Sequence, residues 1–293
     1  MTNSVGHVDV CVGIDVSKAH LDVAVWDTDT FWQFPNDVPG LSALIGCMKC
    51  LSPAVVVIEA SGGYEALAVA ELAAAGLPVA VTNPKRVRAF ARSTGQLAKT
   101  DKLDARVLAH FGYAVRPEVR PLRSEQEMWL KALVTRRRQV ITMLTAEKNR
   151  KDTSHSGLQD QIQQHIGCLQ SELQSLEEAI EQSIRQSPIW SSKQALLRSV
   201  PGVGAVTAAT MVAELPELGL LNRQAIAALV GVAPLNHDSG KLRGKRRVCA
   251  GRAPVRRTLF MATLVAARCN PLIRSHYENL LQRGKEKKVA LTA

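Results

Sequence analysis

The sequence predicts an α/β domain built on a mixed sheet, followed by a mainly α-helical half, and three observations carry that expectation. Short alternating or β-branched apolar segments fill the first third of the chain. A Gly- and Pro-poor stretch over residues 125–186 carries an apolar seam. The chain after Pro188 is Ala-rich with helical periodicity. With 293 residues, 46% hydrophobic and 22% charged, the chain has material for two domains with folded cores and is not disordered as a whole.

Residues 8–16 (Val-Asp-Val-Cys-Val-Gly-Ile-Asp-Val) and 20–27 (His-Leu-Asp-Val-Ala-Val-Trp-Asp) alternate about a Ser-Lys-Ala turn and read as a hairpin. A short third strand is expected at 31–34. Pro39-Gly40 opens a helical pattern over 41–50. The β-branched run 54–58 suits a strand buried on both faces. Ser61-Gly62-Gly63 breaks it, and an Ala/Leu-rich helix over 64–75 closes at Gly76. Residues 78–82 give another buried strand, stopped by Asn83-Pro84, and helices follow from 85 to about 113. A hairpin meander, then helix, strand, helix, strand, helix, is the element order of the ribonuclease-H-like fold. Residues 8–115 are therefore expected to form one domain.

The seam of the second segment is Ile162, Ile166, Leu169, Leu173, Leu176, Ile180 and Ile184, spaced close to a heptad repeat. With Leu130, Leu133, Ile141 and Leu144 before the break at 152–157, it predicts a helical hairpin or a dimerising coiled coil over 125–186. Residues 190–293 are expected to form a mainly helical C-terminal domain. Within it, Ser199-Val-Pro-Gly-Val-Gly204 has the turn of a helix-hairpin-helix, whose backbone N–H groups around Gly202 and Gly204 can meet a phosphate. A plain packing turn between two helices reads equally well.

Charge narrows the partners. The formal net charge is +11, and from Ser239 onward fourteen Lys or Arg face only Glu278 and Glu286, so this one segment holds more than the whole excess. Its densest part, Lys241-Leu-Arg-Gly-Lys-Arg-Arg247, contains Gly and too few apolar residues for an amphipathic membrane helix, which leaves nucleic acid as the expected polyanion. Aromatics are 4% of the chain, so phosphate contacts should outweigh base stacking. No apolar run reaches membrane-spanning length, and the start Met-Thr-Asn-Ser-Val-Gly-His lacks the regions of a signal peptide. The six cysteines are scattered, which suits reduced thiols in a cytoplasmic protein, and with nucleic acid as its partner the protein is expected to be nucleoid-associated. Cys47-Met-Lys-Cys50, without a second pair, does not make a zinc site.

Four carboxylates stand out. Asp15 ends the first strand, Glu59 ends the run 54–58, and Asp101 and Asp104 share a helix face in Lys99-Thr-Asp-Lys-Leu-Asp-Ala-Arg106. Oxygen-only donors suit Mg²⁺, and a pair of such ions stabilises the attacking and leaving oxygens of an in-line phosphodiester displacement. Singly, Asp15 reads as a turn residue, and Asp101 with Asp104 as helix-capping acids. Two strand-end acids beside an acidic helix turn favour the cluster. Ser239, in His237-Asp-Ser-Gly-Lys241, reads from composition as an ordinary Asp-Ser-Gly turn.

These segments resemble a known family. Gly13-Ile-Asp-Val-Ser-Lys18, Ile58-Glu-Ala-Ser-Gly-Gly-Tyr64, Asn83-Pro-Lys-Arg-Val-Arg-Ala-Phe-Ala91 and 99–106 are similar to the DEDD insertion-sequence transposases, the bridge-RNA-guided recombinases related to the Piv DNA invertase. Ser199–Gly204, Leu229-Val-Gly-Val-Ala-Pro234, 238–247 and Gly251-Arg-Ala-Pro-Val-Arg-Arg-Thr-Leu259 resemble that family's C-terminal transposase domain. Cys249-Ala250 stands where similar sequences often have an aromatic residue and Gly, and relatives usually continue past the position of Ala293 into a further helix.

The resemblance implies a RuvC-like N-terminal domain holding Mg²⁺ on Asp15, Glu59, Asp101 and Asp104. It also implies a coiled-coil linker that assembles a homo-oligomer (dimer or tetramer) and a C-terminal domain whose Ser239 attacks the DNA backbone. One subunit's serine would work with another's carboxylates, and a structured non-coding guide RNA would pair with donor and target DNA. Phosphate contacts then fall to Lys241, Arg243, Lys245, Arg246 and Arg247, with Arg252, Arg256 and Arg257 beyond them and Lys85, Arg86, Arg88 and Arg92 as a second basic stripe. Two alternatives remain: a RuvC-like structure-selective endonuclease in which water attacks, and a non-catalytic nucleic-acid-binding protein whose carboxylates are structural.

Overall fold

The computed structural model describes residues 9–98, 100–119, 124–236, 238–240, 242–244 and 246–293, and of 242 and 243 the backbone alone. The chain divides into two compact units, Met1–Leu122 and Arg123–Ala293.

The first unit is built on a five-stranded mixed sheet. Its strands are β1 (Cys11–Val16), β2 (His20–Val25), β3 (Phe31–Pro35), β4 (Val55–Glu59) and β5 (Val79–Thr82). The spatial order is β3-β2-β1-β4-β5, with β1–β2 and β2–β3 antiparallel and β1–β4 and β4–β5 parallel. This is the meander followed by crossovers that the alternating pattern predicts. Helices α1 (Val38–Leu51) and α2 (Glu65–Ala74) cover one face, where Leu41, Leu44, Met48 and Leu72 pack on Ile14, Leu21 and Ile58. Helices α3 (Pro84–Ser93) and α4 (Asp101–Val115) cover the other, where Val87, Leu108 and Phe111 meet Val55, Val57 and Ala80. Burial on both faces is why β4 reads as an unbroken apolar run.

Helix α4 lies directly on β1 because Gly13 has no side chain. A Cβ there would overlap the Ala105 carbonyl oxygen, the Ala109 nitrogen and the Leu108 Cβ. The strand and the helix that carry Asp15, Asp101 and Asp104 are thereby brought together.

The second unit begins with two long helices, α5 (Glu125–Thr153) and α6 (Ser156–Arg185), opened by a capping box between Ser124 and Glu127. They run antiparallel. Val140 and Leu144 pack against Ile166 and Leu169, and Leu130, Leu133 and Val134 against Ile180 and Ile184. Arg136 and Arg137 donate to Glu172 and Glu177 across the pair. The seam read in the sequence is thus filled within one chain, the hairpin arm of that expectation. Helices α7 (Pro188–Arg198), α8 (Ala205–Glu214), α9 (Arg223–Val230), α10 (Ala253–Cys269), α11 (Pro271–Gln282) and α12 (Lys287–Thr292) complete the unit. Four two-residue strands, β6 (Pro234–Leu235), β7 (Asp238–Ser239), β8 (Leu242–Arg243) and β9 (Arg247–Val248), lie between α9 and α10. Among the described residues no helix is long and apolar enough to cross a membrane.

Candidate active site

In the first unit Glu59 ends β4, whereas Asp15 is the penultimate residue of β1 and not its end as expected, because Val16 still pairs with Leu21; each acid lies one residue beyond the paired Ile14 and Ile58. Asp101 and Asp104 lie in the first turn of α4. The cap of that helix is Thr100, whose hydroxyl accepts from the Leu103 N–H at 3.3 Å, so neither aspartate serves as the cap residue. Asp15 is half-buried, and its carboxyl is pushed up from 3.8 to about 6. Burial contributes most, followed by the charges of Asp104, Asp101 and Asp22, against a lowering hydrogen bond from the Val16 backbone.

This donor set fits a hard divalent cation: it is carboxylate only, and Asp15 sits in a field of like charge that a cation relieves. Among the described residues no three His, Cys, Asp or Glu side chains are grouped closely enough to hold an ion as they stand. The structure brings Asp15, Asp101 and Asp104 within electrostatic reach of one another without closing them into a shell.

Two side chains that sequence reasoning missed brace the loops behind these acids. Asn36 Nδ2 donates to the Ser17 carbonyl at 2.9 Å and to the Tyr64 carbonyl at 3.2 Å, tying the turn after Asp15 to the loop after Glu59. Glu65 accepts from the Ser61 N–H, the Ser61 hydroxyl and the Gly63 N–H at 2.8–3.1 Å. Those hydrogen bonds outweigh burial and hold its carboxyl below the ordinary range. Asn36 has no sequence signal, because its partners are backbone carbonyls distant in the chain. Glu65, close behind two glycines, could have been found as a loop cap.

The second basic stripe lies on α3. Lys85, Arg86 and Arg92 are exposed, while Arg88 donates to the Leu97 carbonyl at 3.0 Å and Arg86 lies over the Phe111 ring.

In the second unit Ser239 is exposed and lies beside the tip of a nested hairpin. Pro234 pairs with Val248 and Leu235 with Arg247; further out, Asp238 pairs with Arg243 and Ser239 with Leu242. The Asp238 carboxylate accepts from the Gly244 N–H at 3.1 Å across the turn. The expected loop is therefore partly paired, which strands of two residues conceal from any periodicity. At its base, Arg256 donates to the Ala250 and Val230 carbonyls. Arg252 grips both Glu217 carboxylate oxygens at 2.6 Å and the Glu214 carbonyl at 2.7 Å. Arg252 and Arg256, expected on phosphate, are thus engaged with protein acceptors, while Arg246, Arg247 and Arg257 are exposed. Lys241 and Lys245 lie outside the described residues, as does the Arg243 side chain.

Of the two glycines of the Pro-Gly-Val-Gly turn, Gly202 lies against another helix. A Cβ on it would collide with Ala266 of α10, so the turn is a close packing contact there. Gly204, the N-cap of α8, faces open space.

Both halves of the chain match known proteins. A family model for the DEDD transposases of the IS110 type matches residues 12–153, and one described as "Transposase IS116/IS110/IS902 family" matches residues 194–278. The pilin gene-inverting proteins of Moraxella lacunata and Moraxella bovis are each 27% identical over 293 residues, covering 96% of this chain and 91% of theirs. Among solved structures, T. thermophilus RuvC in complex with a Holliday junction substrate aligns at 19% identity with a TM-score of 0.30, covering 39% of this chain and 99% of that one.

A mixed-sheet unit with acids at or beside its strand ends, joined to a basic helical unit and matched in both halves, defines a DNA transposase/recombinase. The chain belongs to the IS110 family of DEDD transposases.

Proposed function

We propose that this transposase is RNA-guided and moves an insertion sequence by cutting and exchanging DNA strands through Ser239. The Ser239 oxygen attacks a backbone phosphorus, a phosphoserine ester forms, and the P–O bond to one sugar oxygen breaks. The proton lost by the serine balances the one gained by the leaving sugar hydroxyl. A sugar hydroxyl of another strand then attacks the same phosphorus, restores the diester and returns the serine. The bond energy of the diester is conserved throughout, so no external energy source is needed.

Asp15, Glu59, Asp101 and Asp104 would hold Mg²⁺, which supplies charge stabilisation to the phosphoryl oxygens when bound. The observation that carries the metal assignment is the placement of Asp15 of β1 within electrostatic reach of Asp101 and Asp104 in the first turn of α4, where burial first and those charges next raise the Asp15 carboxyl to about 6. Site acids of this kind are typically perturbed in this way. Asn36 and Glu65 orient the loops behind the acids. Arg246, Arg247 and Arg257, with Lys241, Arg243 and Lys245, would hold phosphates around the serine. Lys85, Arg86 and Arg92 would do so on the first unit. With 4% aromatics the chain has few side chains to stack on unpaired bases, so its main task would be to hold backbones while a structured guide RNA reads sequence by pairing. The α5–α6 pair is assigned as a linker that assembles a dimer or tetramer. The named action of the Moraxella relatives, inverting a pilin gene, supports DNA rearrangement as the reaction class.

The test is co-expression with the DNA flanking the gene in the presence of Mg²⁺, followed by a search of denatured lysate for protein joined to DNA. An adduct lost in Ser239→Ala is expected. Metal-dependent cutting without an adduct would assign the attack to water. Binding without cutting or adduct would make the carboxylates structural.

A further inference from the structure

Alternation along a strand puts every second residue on the same face of a sheet. Cys11 of β1, Val55 and Val57 of β4 and Ala80 of β5 all pack on the α3–α4 side, and Gly13 touches α4 there. Continuing the alternation, Asp15, Glu59 and Thr82 lie on that face too. Glu59 and Thr82 are direct partners across β4 and β5. On the other side, Asp22 of β2 is the direct partner of Asp15, and Gln33 of β3 is the partner of Asp22. Five polar side chains, Gln33, Asp22, Asp15, Glu59 and Thr82, therefore form one row across all five strands of a sheet whose other side chains are apolar apart from the exposed His20 at the start of β2.

The two flanking members of this row are energetically odd. Asp22 is only 3% exposed, with a Gln33 Nε2 hydrogen bond at 2.9 Å. A carboxylate that deep is costly in a strand that could have carried Val. Thr82 is 5% exposed, and its hydroxyl is buried without a hydrogen-bond partner. A buried hydroxyl left unmatched destabilises the fold, and isosteric Val would remove the cost. Stability alone explains neither residue. Both lie beside the pair assigned to the metal.

We propose that Asp22 and Thr82 are positioning residues of the carboxylate site. Asp22 faces Asp15 from the β2 side and adds negative charge that favours a divalent cation there. Thr82 offers its hydroxyl to Glu59 when the site is loaded. Neither residue touches the reacting phosphate. The inference rests on reading Asp15 and Glu59 as metal-holding residues and adds two members that the DEDD set does not include.

The experiment titrates Mn²⁺ into the full chain by calorimetry, alongside thermal midpoints of the metal-free protein. Asp15→Asn is expected to abolish the binding. Asp22→Asn is expected to weaken it about tenfold or more, the usual effect of removing a residue that orients a ligand. Thr82→Val is expected to move two readouts in opposite directions: the metal-free midpoint rises because the unmatched hydroxyl is gone, while Mn²⁺ affinity falls. A purely structural Thr82 would move only the first. If Asp22→Asn does not fold, Gln33→Met removes the hydrogen bond that fixes Asp22 from an exposed position, and a few-fold loss of affinity is expected. Unchanged Mn²⁺ affinity in these variants, with Asp15→Asn still abolishing it, overturns the proposal and leaves the metal site intact. Equal binding by wild type and Asp15→Asn overturns the metal site and this proposal together.

Discussion

Arg252 at the N-cap of α10 holds Glu217 through both guanidinium nitrogens, each at 2.6 Å, with both side chains about a quarter exposed. Planar two-point geometry of this kind is the strongest form of ion pair. It engages with protein acceptors a residue that lies in the most basic part of the sequence.

Arg252→Ala should therefore destabilise the second unit, because it leaves Glu217 and the Glu214 carbonyl without this donor. A loss of about 3 kcal/mol is expected, at the low end of what removing one member of a buried pair costs. Arg257→Ala, on the exposed face, should leave denaturant unfolding unchanged and lower the salt dependence of DNA binding by about one unit of slope. The two measurements should exchange nothing: stability moves in one variant and salt slope in the other.

Gly13→Ala should separate α4 from β1. The new methyl would meet the backbone of Ala105 and Ala109, and backbone gives way poorly. Overpacking of this kind costs about 1–3 kcal/mol. Because α4 carries Asp101 and Asp104, Mn²⁺ affinity should fall along with the melting temperature. A lower melting temperature with unchanged affinity would detach the metal site from this contact.

Stability of the metal-free chain should depend on pH through Asp15. Its folded value, about 6, lies above its ordinary 3.8, so between those values the folded state keeps a proton that the unfolded chain gives up. Stability should consequently be higher near pH 4 than near pH 7 as far as this group contributes, falling across that window and levelling above it. Asp15→Asn should remove this part of the slope. Mn²⁺ or Mg²⁺ should raise the melting temperature at pH 7.5 and lose that effect below about pH 6, because proton and cation compete for one carboxylate.

Asn36→Ala should uncouple the turn after Asp15 from the loop after Glu59. Two hydrogen bonds are lost, at about 1 kcal/mol each. If the link serves catalysis, single-turnover cutting should fall more than the melting temperature implies. Asn36→Asp, which keeps the size and removes the donating amide, should behave like the alanine.

Much of the fold was legible in the sequence. Strands β1 to β5 followed from alternation and β-branched runs, and the seam from Ile162 to Ile184 followed from heptad spacing, because those periods repeat over enough residues to stand out. The acids were legible for the same reason: Glu59 closes an apolar run, and Asp15 interrupts one just before its last residue, Val16. The four short strands around Ser239 were not, since two residues carry no period. For Gly202 the sequence left a packing turn and a phosphate-facing turn equally open, and the contact with Ala266 is what the packing reading describes.

By itself, then, the amino-acid sequence determined the element order, the basic segment after Ser239 and the four acids, all of which are local patterns of charge and apolarity. Tertiary structure alone decided what those side chains face. It paired Arg252 with Glu217, set Asp22 opposite Asp15 and joined two loops through Asn36. The physical reason is that register and long-range contact bring together residues that no spacing along the chain relates, and each charge then acts through the neighbour that packing supplies.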